Sequence, residues 1–129
     1  MNGWRTNVRC YVSPADNNKI ADWYDGLSVQ ERSDADAFLK NMRRMAAKDW
    51  KMPDYRAALK GYKGLGELRW ISMKKQHRLI GFFKDGVWYA VVGCTHKQQV
   101  YDPHDALDTA KRYKGQIERG EVITVDYNL

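Results

Sequence analysis

Arg69, Arg78, His96 and Lys97 are the residues of this chain best suited to chemistry. They fall in the stretch from Gly64 to Gln98, which reads GLGELRWISMKKQHRLIGFFKDGVWYAVVGCTHKQ. Three strand-like runs follow one another there, and each carries a basic residue or a histidine near one end. No acidic cluster accompanies them. Such a set suits a phosphate backbone. Recognition needs positive donors for the phosphate, and metal-free cleavage would add a base for the attacking hydroxyl and an acid for the leaving oxygen. Histidine fits either of the last two roles because it titrates near neutrality. Arginine fits the first, since its planar fork matches phosphate oxygens.

Arg78 opens an otherwise apolar strand and is the leading phosphate-binding candidate. Arg69 stands two residues from Glu67, so both share one sheet face, and it can serve either as an ion-pair partner or in catalysis. His96 ends the last strand of the three, and the charge of Lys97 beside it would favour the neutral imidazole. His77 adjoins Arg78 and so points to the opposite face, towards the helices. His104 falls in the first turn of the last predicted helix, where a structural role fits. Lys60, Lys63, Lys74 and Lys75 can follow an RNA backbone, although a solvated turn also accounts for Lys74 and Lys75. Tyr55, Tyr62 and Trp88 can stack on bases, and core packing suits Trp88 better. Phe38, Met42 and Met45 read as core.

The 129 residues form a single domain by size, 1–129. The net charge is +6, and it is concentrated. Residues 51–78 hold eight Lys/Arg against two Asp/Glu, while the flanks cancel one another. That is an electrostatic footprint for nucleic acid. No apolar run is long enough for a membrane helix, and the start MNGWRTNVRC lacks the apolar core of a signal peptide. The expectation is a cytoplasmic protein without a membrane partner. Cys10 and Cys94 sit in apolar runs as buried thiols of a reducing compartment. With no CxxC motif, neither a metal site nor a cofactor is expected.

These residues must be positioned by a small set of elements. Asn7–Val12 reads as a first strand. Ser13 and Pro14 read as the cap and first residue of a helix with Ile20, Trp23, Tyr24 and Leu27 on one face. Gly26 ends it. Ser28-Val29-Gln30-Glu31 is a capping box that starts a second helix with Ala35, Phe38, Leu39, Met42, Met45 and Ala46 as its stripe. Trp50–Gly66 reads as a mobile basic connection with a short helical turn at Tyr55–Leu59. The three strands follow, with turns at Lys74-Lys75-Gln76 and Asp85-Gly86, the second a type I′ signal. Asp102-Pro103 caps a last helix carrying Ala106, Leu107, Ala110, Tyr113 and Ile117, and Gly120 ends it. The tail, 121–129, is either an edge strand or loose. The fold class is α+β, with a mainly antiparallel sheet, a helical hairpin on one face and a C-terminal helix.

Leu65-Gly66-Glu67-Leu68-Arg69 resembles the "L-x-E-L-R" strand of the RelE/ParE superfamily of toxins, in its phage-derived HigB-like branch. His77-Arg78-Leu79-Ile80-Gly81-Phe82-Phe83 resembles that branch's "Y-R-V-x-Y-F-F" strand. Gly93 to Gln98, then Pro103 and a helix with Ala110 and Arg112, resembles its "G-F-x-K-K-T…P…A…R" ending. His96 stands where the branch often has lysine, and Tyr101 is the nearest candidate for the late tyrosine of some RelE enzymes. The resemblance implies a compact βααβββα toxin of a type II toxin-antitoxin system. It implies a metal-independent endoribonuclease, an mRNA interferase that cuts mRNA, often on the ribosome. The partner it implies is an antitoxin with a helix-turn-helix domain. Two alternatives stay open: a ParE-like toxin that binds a protein such as gyrase, and a non-toxic phage protein of the same fold. The His96-Lys97 pair favours the nuclease.

Overall fold

The computed structural model describes residues 3–128. The chain runs β1 (Asn7–Tyr11), α1 (Lys19–Asp25), α2 (Val29–Arg43), β2 (Tyr55–Arg56) and β3 (Gly66–Ser72). Then come β4 (Lys75–Lys84), β5 (Val87–Lys97), β6 (Val100–Asp102), α3 (Ala106–Glu118) and β7 (Thr124–Asp126). The result is α+β with a largely antiparallel sheet, ordered β2-β3-β4-β5-β1-β7. β5 is long enough to hold two neighbours along one edge. Its first residues pair with β1 in parallel, and its last pair with β6. The tail resolves as an edge strand, β7, antiparallel to β1.

Ile20, Ala35, Leu39 and Met42 of the helical hairpin pack on one sheet face, against Val8, Leu68, Trp70, Leu79 and Trp88. The hairpin sits close because residue 93 is glycine: a Cβ there would lie 2.2 Å from the Trp23 ring. α3 packs on the other face, bringing Ala106 and Ala110 against Ile80, Phe82, Val91 and Cys94. The Ser28–Glu31 capping box opens α2 as predicted. His77 is buried on the hairpin side, its ring stacked on Trp70 and its Nε2 3.1 Å from Glu31 Oε2. No helix among the described residues is long and apolar enough to cross a membrane.

Several boundaries differ from expectation, each for a local reason. α1 starts at Lys19, because the Asn18 side chain accepts from the N–H groups of Ile20 and Ala21, while Ser13 and Pro14 belong to the preceding turn. Tyr55–Leu59 is not helical. Tyr55 and Arg56 instead pair with Leu68 and Glu67, and the close approach uses Gly66, where a Cβ would meet the Tyr55 hydroxyl. The β3–β4 turn is Met73-Lys74, one residue earlier than read, with φ of 51° and 64°. α3 begins at Ala106, so His104 lies exposed before it and outside its first turn. β6 was not foreseen. Its turn, Gln98-Gln99, has φ of 52° and 65° without any glycine to advertise it.

Candidate nucleic-acid site

Sheet register brings the candidate residues together. Arg69 pairs with Arg78, and Arg78 with Cys94, forming one row across β3, β4 and β5. Ile71, Gln76, His96 and Tyr101 form the next row, across β3 to β6. Arg56 and Glu67 belong to the row on the other side. Side chains two apart along a strand share a face, so all these groups stand on the α3 side. Arg78 and His96 are therefore diagonal neighbours, with backbones about 7–8 Å apart.

At the centre sits Glu67, buried beneath the surface. Its Oε2 accepts a hydrogen bond from the Tyr101 hydroxyl at 2.6 Å. Its Oε1 lies 3.7 Å from Arg69 Nε and 3.8 Å from Arg78 Nε, ion-pair distances too long for hydrogen bonds. The two arginines differ in access: the Arg69 side chain is 25% exposed and that of Arg78 only 4%. Arg78 donates to the carbonyl of His77 at 2.9 Å and to Gln76 Oε1 at 3.0 Å, and its Nε makes no hydrogen bond. It delivers charge from below, and Arg69 presents charge at the surface. Arg56 is exposed across from Glu67. Sequence reasoning placed it only in a basic connection, since a two-residue strand leaves no periodic signal.

His96 packs edge-on to Tyr101, ring centroids 4.7 Å apart. Its pKa is pushed below the usual histidine value, chiefly by burial and then by Arg78, with Arg69 and Arg56 adding and Glu67 opposing. Lys97 is not among these causes. Strand alternation turns Lys97 to the opposite face, so the expected like-charge effect comes from the arginines instead. Tyr101 is pushed above the ordinary phenol range by burial and its bond to Glu67, so its hydroxyl keeps its proton at neutral pH. Burial likewise raises the Cys94 thiol to about 12, which leaves it protonated.

The remaining candidates divide by location. Lys60 lines a cavity of about 510 Å³ together with Arg56, Arg69, His96, Tyr101 and Leu107. Lys74, Lys75 and Lys97 line a second cavity of about 510 Å³ at the end of the sheet, which His96 and Gln76 share with them. Lys75 also lies 3.5 Å from Glu31 of α2. Lys63 is exposed on the loop before β3. Tyr62 donates its hydroxyl to Asp108 at 2.7 Å and packs on the α3 core, so it ties the loop to α3 and is not a free stacking platform. Tyr55 and Trp88 are core residues, with Trp88 Nε1 donating to the Tyr55 hydroxyl at 3.1 Å. Among the described residues no three His, Cys, Asp or Glu side chains gather as a metal-ligand group. Comparison of the chain with protein-family models, with curated proteins and with solved structures finds no match in any of the three.

Proposed function

We propose that the chain is an endoribonuclease of the RelE/HigB-like kind, the toxin of a type II toxin-antitoxin pair, acting on mRNA. One observation carries the reading: Arg56, Arg69 and Arg78 converge with His96 on one sheet face, around a buried carboxylate. On this reading the phosphate lies against Arg69 and Arg56, whose forks are accessible. Arg78 adds charge from beneath and stabilises the phosphorane. His96 is held neutral at physiological pH and takes the 2′-hydroxyl proton. Lys60, on the wall of the same cavity, returns a proton to the 5′-oxygen. Tyr101 and Glu67 fix the imidazole and the guanidinium groups without taking a proton. Lys74, Lys75, Lys97 and Lys63 guide the flanking backbone. The partner on this reading is an antitoxin with a helix-turn-helix domain.

The test is cleavage of a defined RNA by the purified chain, with chelator present. Activity should persist, leaving a 2′,3′-cyclic or 3′-phosphate and a 5′-hydroxyl. His96→Ala should slow cleavage by roughly 10²–10⁴-fold, the usual worth of one positioned acid or base. Expression in bacteria gives a second readout. Loss of mRNA supports the nuclease, whereas DNA damage with filamentation points to a gyrase-type protein target. Full toxicity of His96→Ala would remove the imidazole from the chemistry.

A further inference from the structure

Two cavities of about 510 Å³ each flank His96, and among the described residues it alone lines both. Arg56, Lys60 and Arg69 line the first, on the α3 side of the sheet. Lys74, Lys75 and Lys97 line the second, at the sheet end. No carboxylate lines either cavity among the described residues. Glu67 is buried beneath the first, and Glu31, buried in α2, lies 3.5 Å from Lys75. Lys74 and Lys97 are exposed and make no ion pair or side-chain hydrogen bond among the described residues. A lysine on a solvated turn is ordinary. Two basic cavities that meet at the proposed base form a continuous track for a polyanion.

The track acquires a direction from the ribonuclease reading, on which the inference rests. His96 takes the 2′-hydroxyl proton of the nucleotide on the 5′ side of the scissile phosphate. Lys60 returns a proton to the 5′-oxygen of the nucleotide on the 3′ side. Lys60 lines the Arg56 cavity and not the other. The departing nucleotide therefore belongs in the Arg56 cavity, and the preceding chain continues past His96 into the lysine cavity. We propose that single-stranded RNA crosses this end of the sheet in one direction, its 5′ flank in the Lys74–Lys97 cavity and its 3′ flank in the Arg56–Lys60 cavity. Lys75 and Lys97 alternate to the hairpin side while Gln76 and His96 stand on the α3 side, so the path turns over the strand ends. A flexible single strand follows such a turn, and a stiff duplex resists it. Phosphates on both sides of the bond hold the chain, which makes the substrate an internal bond and not a chain end.

The test uses the full chain and a hexamer of thymidine nucleotides, which has no 2′-hydroxyl and so cannot be cut by this chemistry. A nitroxide is attached to its 5′ end or to its 3′ end, and amide signals are followed by NMR. The 5′ label should broaden the signals of Lys74 and Lys97, and the 3′ label those of Arg56 and Lys60. Lys74→Ala with Lys97→Ala should flatten the plot of log K against log salt by about 0.7 per lost phosphate contact. Reversed broadening would overturn the direction. Broadening confined to one cavity with both labels, an unchanged salt slope, or no binding would overturn the track. Cleavage of an RNA hexamer is measured separately. An RNA left intact while the labels give the expected pattern would remove the nuclease and leave the track standing. An RNA that is cut while the labels fail the pattern would do the opposite.

Discussion

Glu67→Gln tests whether the centre of the site is a buried charge network. The carboxylate and the Arg78 guanidinium are each only 4% exposed, 3.8 Å apart, with Arg69 at 3.7 Å. Glutamine keeps the shape and still accepts the Tyr101 hydrogen bond. What it removes is the counter-charge, leaving Arg78 buried and unpaired. Breaking a buried pair from one side costs about 3–5 kcal/mol. The retained Tyr101 bond and the partial exposure of Arg69 place this case at about 3 kcal/mol, at the low end of that range. For a chain of this size that lowers Tm by about 10 °C. Thermal unfolding followed by circular dichroism measures it. Adding Arg78→Met should recover most of the loss, because no uncompensated charge then remains. The same variant should shift His96. Glu67 opposes the effects that depress the His96 pKa. Its removal should move the midpoint further down, read by NMR titration of the imidazole. A Tm loss below about 2 °C with an unmoved His96 midpoint would refute the reasoning, since an effect that small is what a solvated surface pair gives.

Two further predictions concern charge elsewhere. His77 is buried, with its pKa below the usual value chiefly through burial. A depressed histidine contributes stability that is present above its unfolded pKa and lost as pH falls through the folded one. Thermal stability should therefore decline as pH drops below about 6.5, and His77→Phe should flatten that decline; an unchanged pH profile would acquit His77. Arg56→Ala with Lys60→Ala should flatten the salt dependence of RNA binding by about 0.7 per lost phosphate contact, measured as log K against log salt. An unchanged slope would place both residues outside the path of the backbone.

Much of the fold was legible in the chain because local rules dictated it. The Ser28–Glu31 box, the Ala35–Leu39–Met42 stripe and the Asp85-Gly86 turn each satisfy a short-range requirement, and each element formed where that rule put it. Strand alternation likewise separated His77 from Arg78. The charge excess of residues 51–78 was also a property of the sequence alone. Tertiary structure decided what depends on contact between distant segments. Arg56 reaches the site because Tyr55 and Arg56 pair with residues eleven or more positions away, and no local pattern marks a two-residue strand. Tyr101 joins Glu67 through a non-glycine turn, Gln98-Gln99, that the pairing of β5 with β6 closes at positive φ. The depth of Arg78, and the origin of the His96 shift in burial and arginines instead of Lys97, follow from where the sheet faces solvent. Burial is a property of the assembled layers, so a sequence that names the charged groups leaves undecided which of them the solvent can reach.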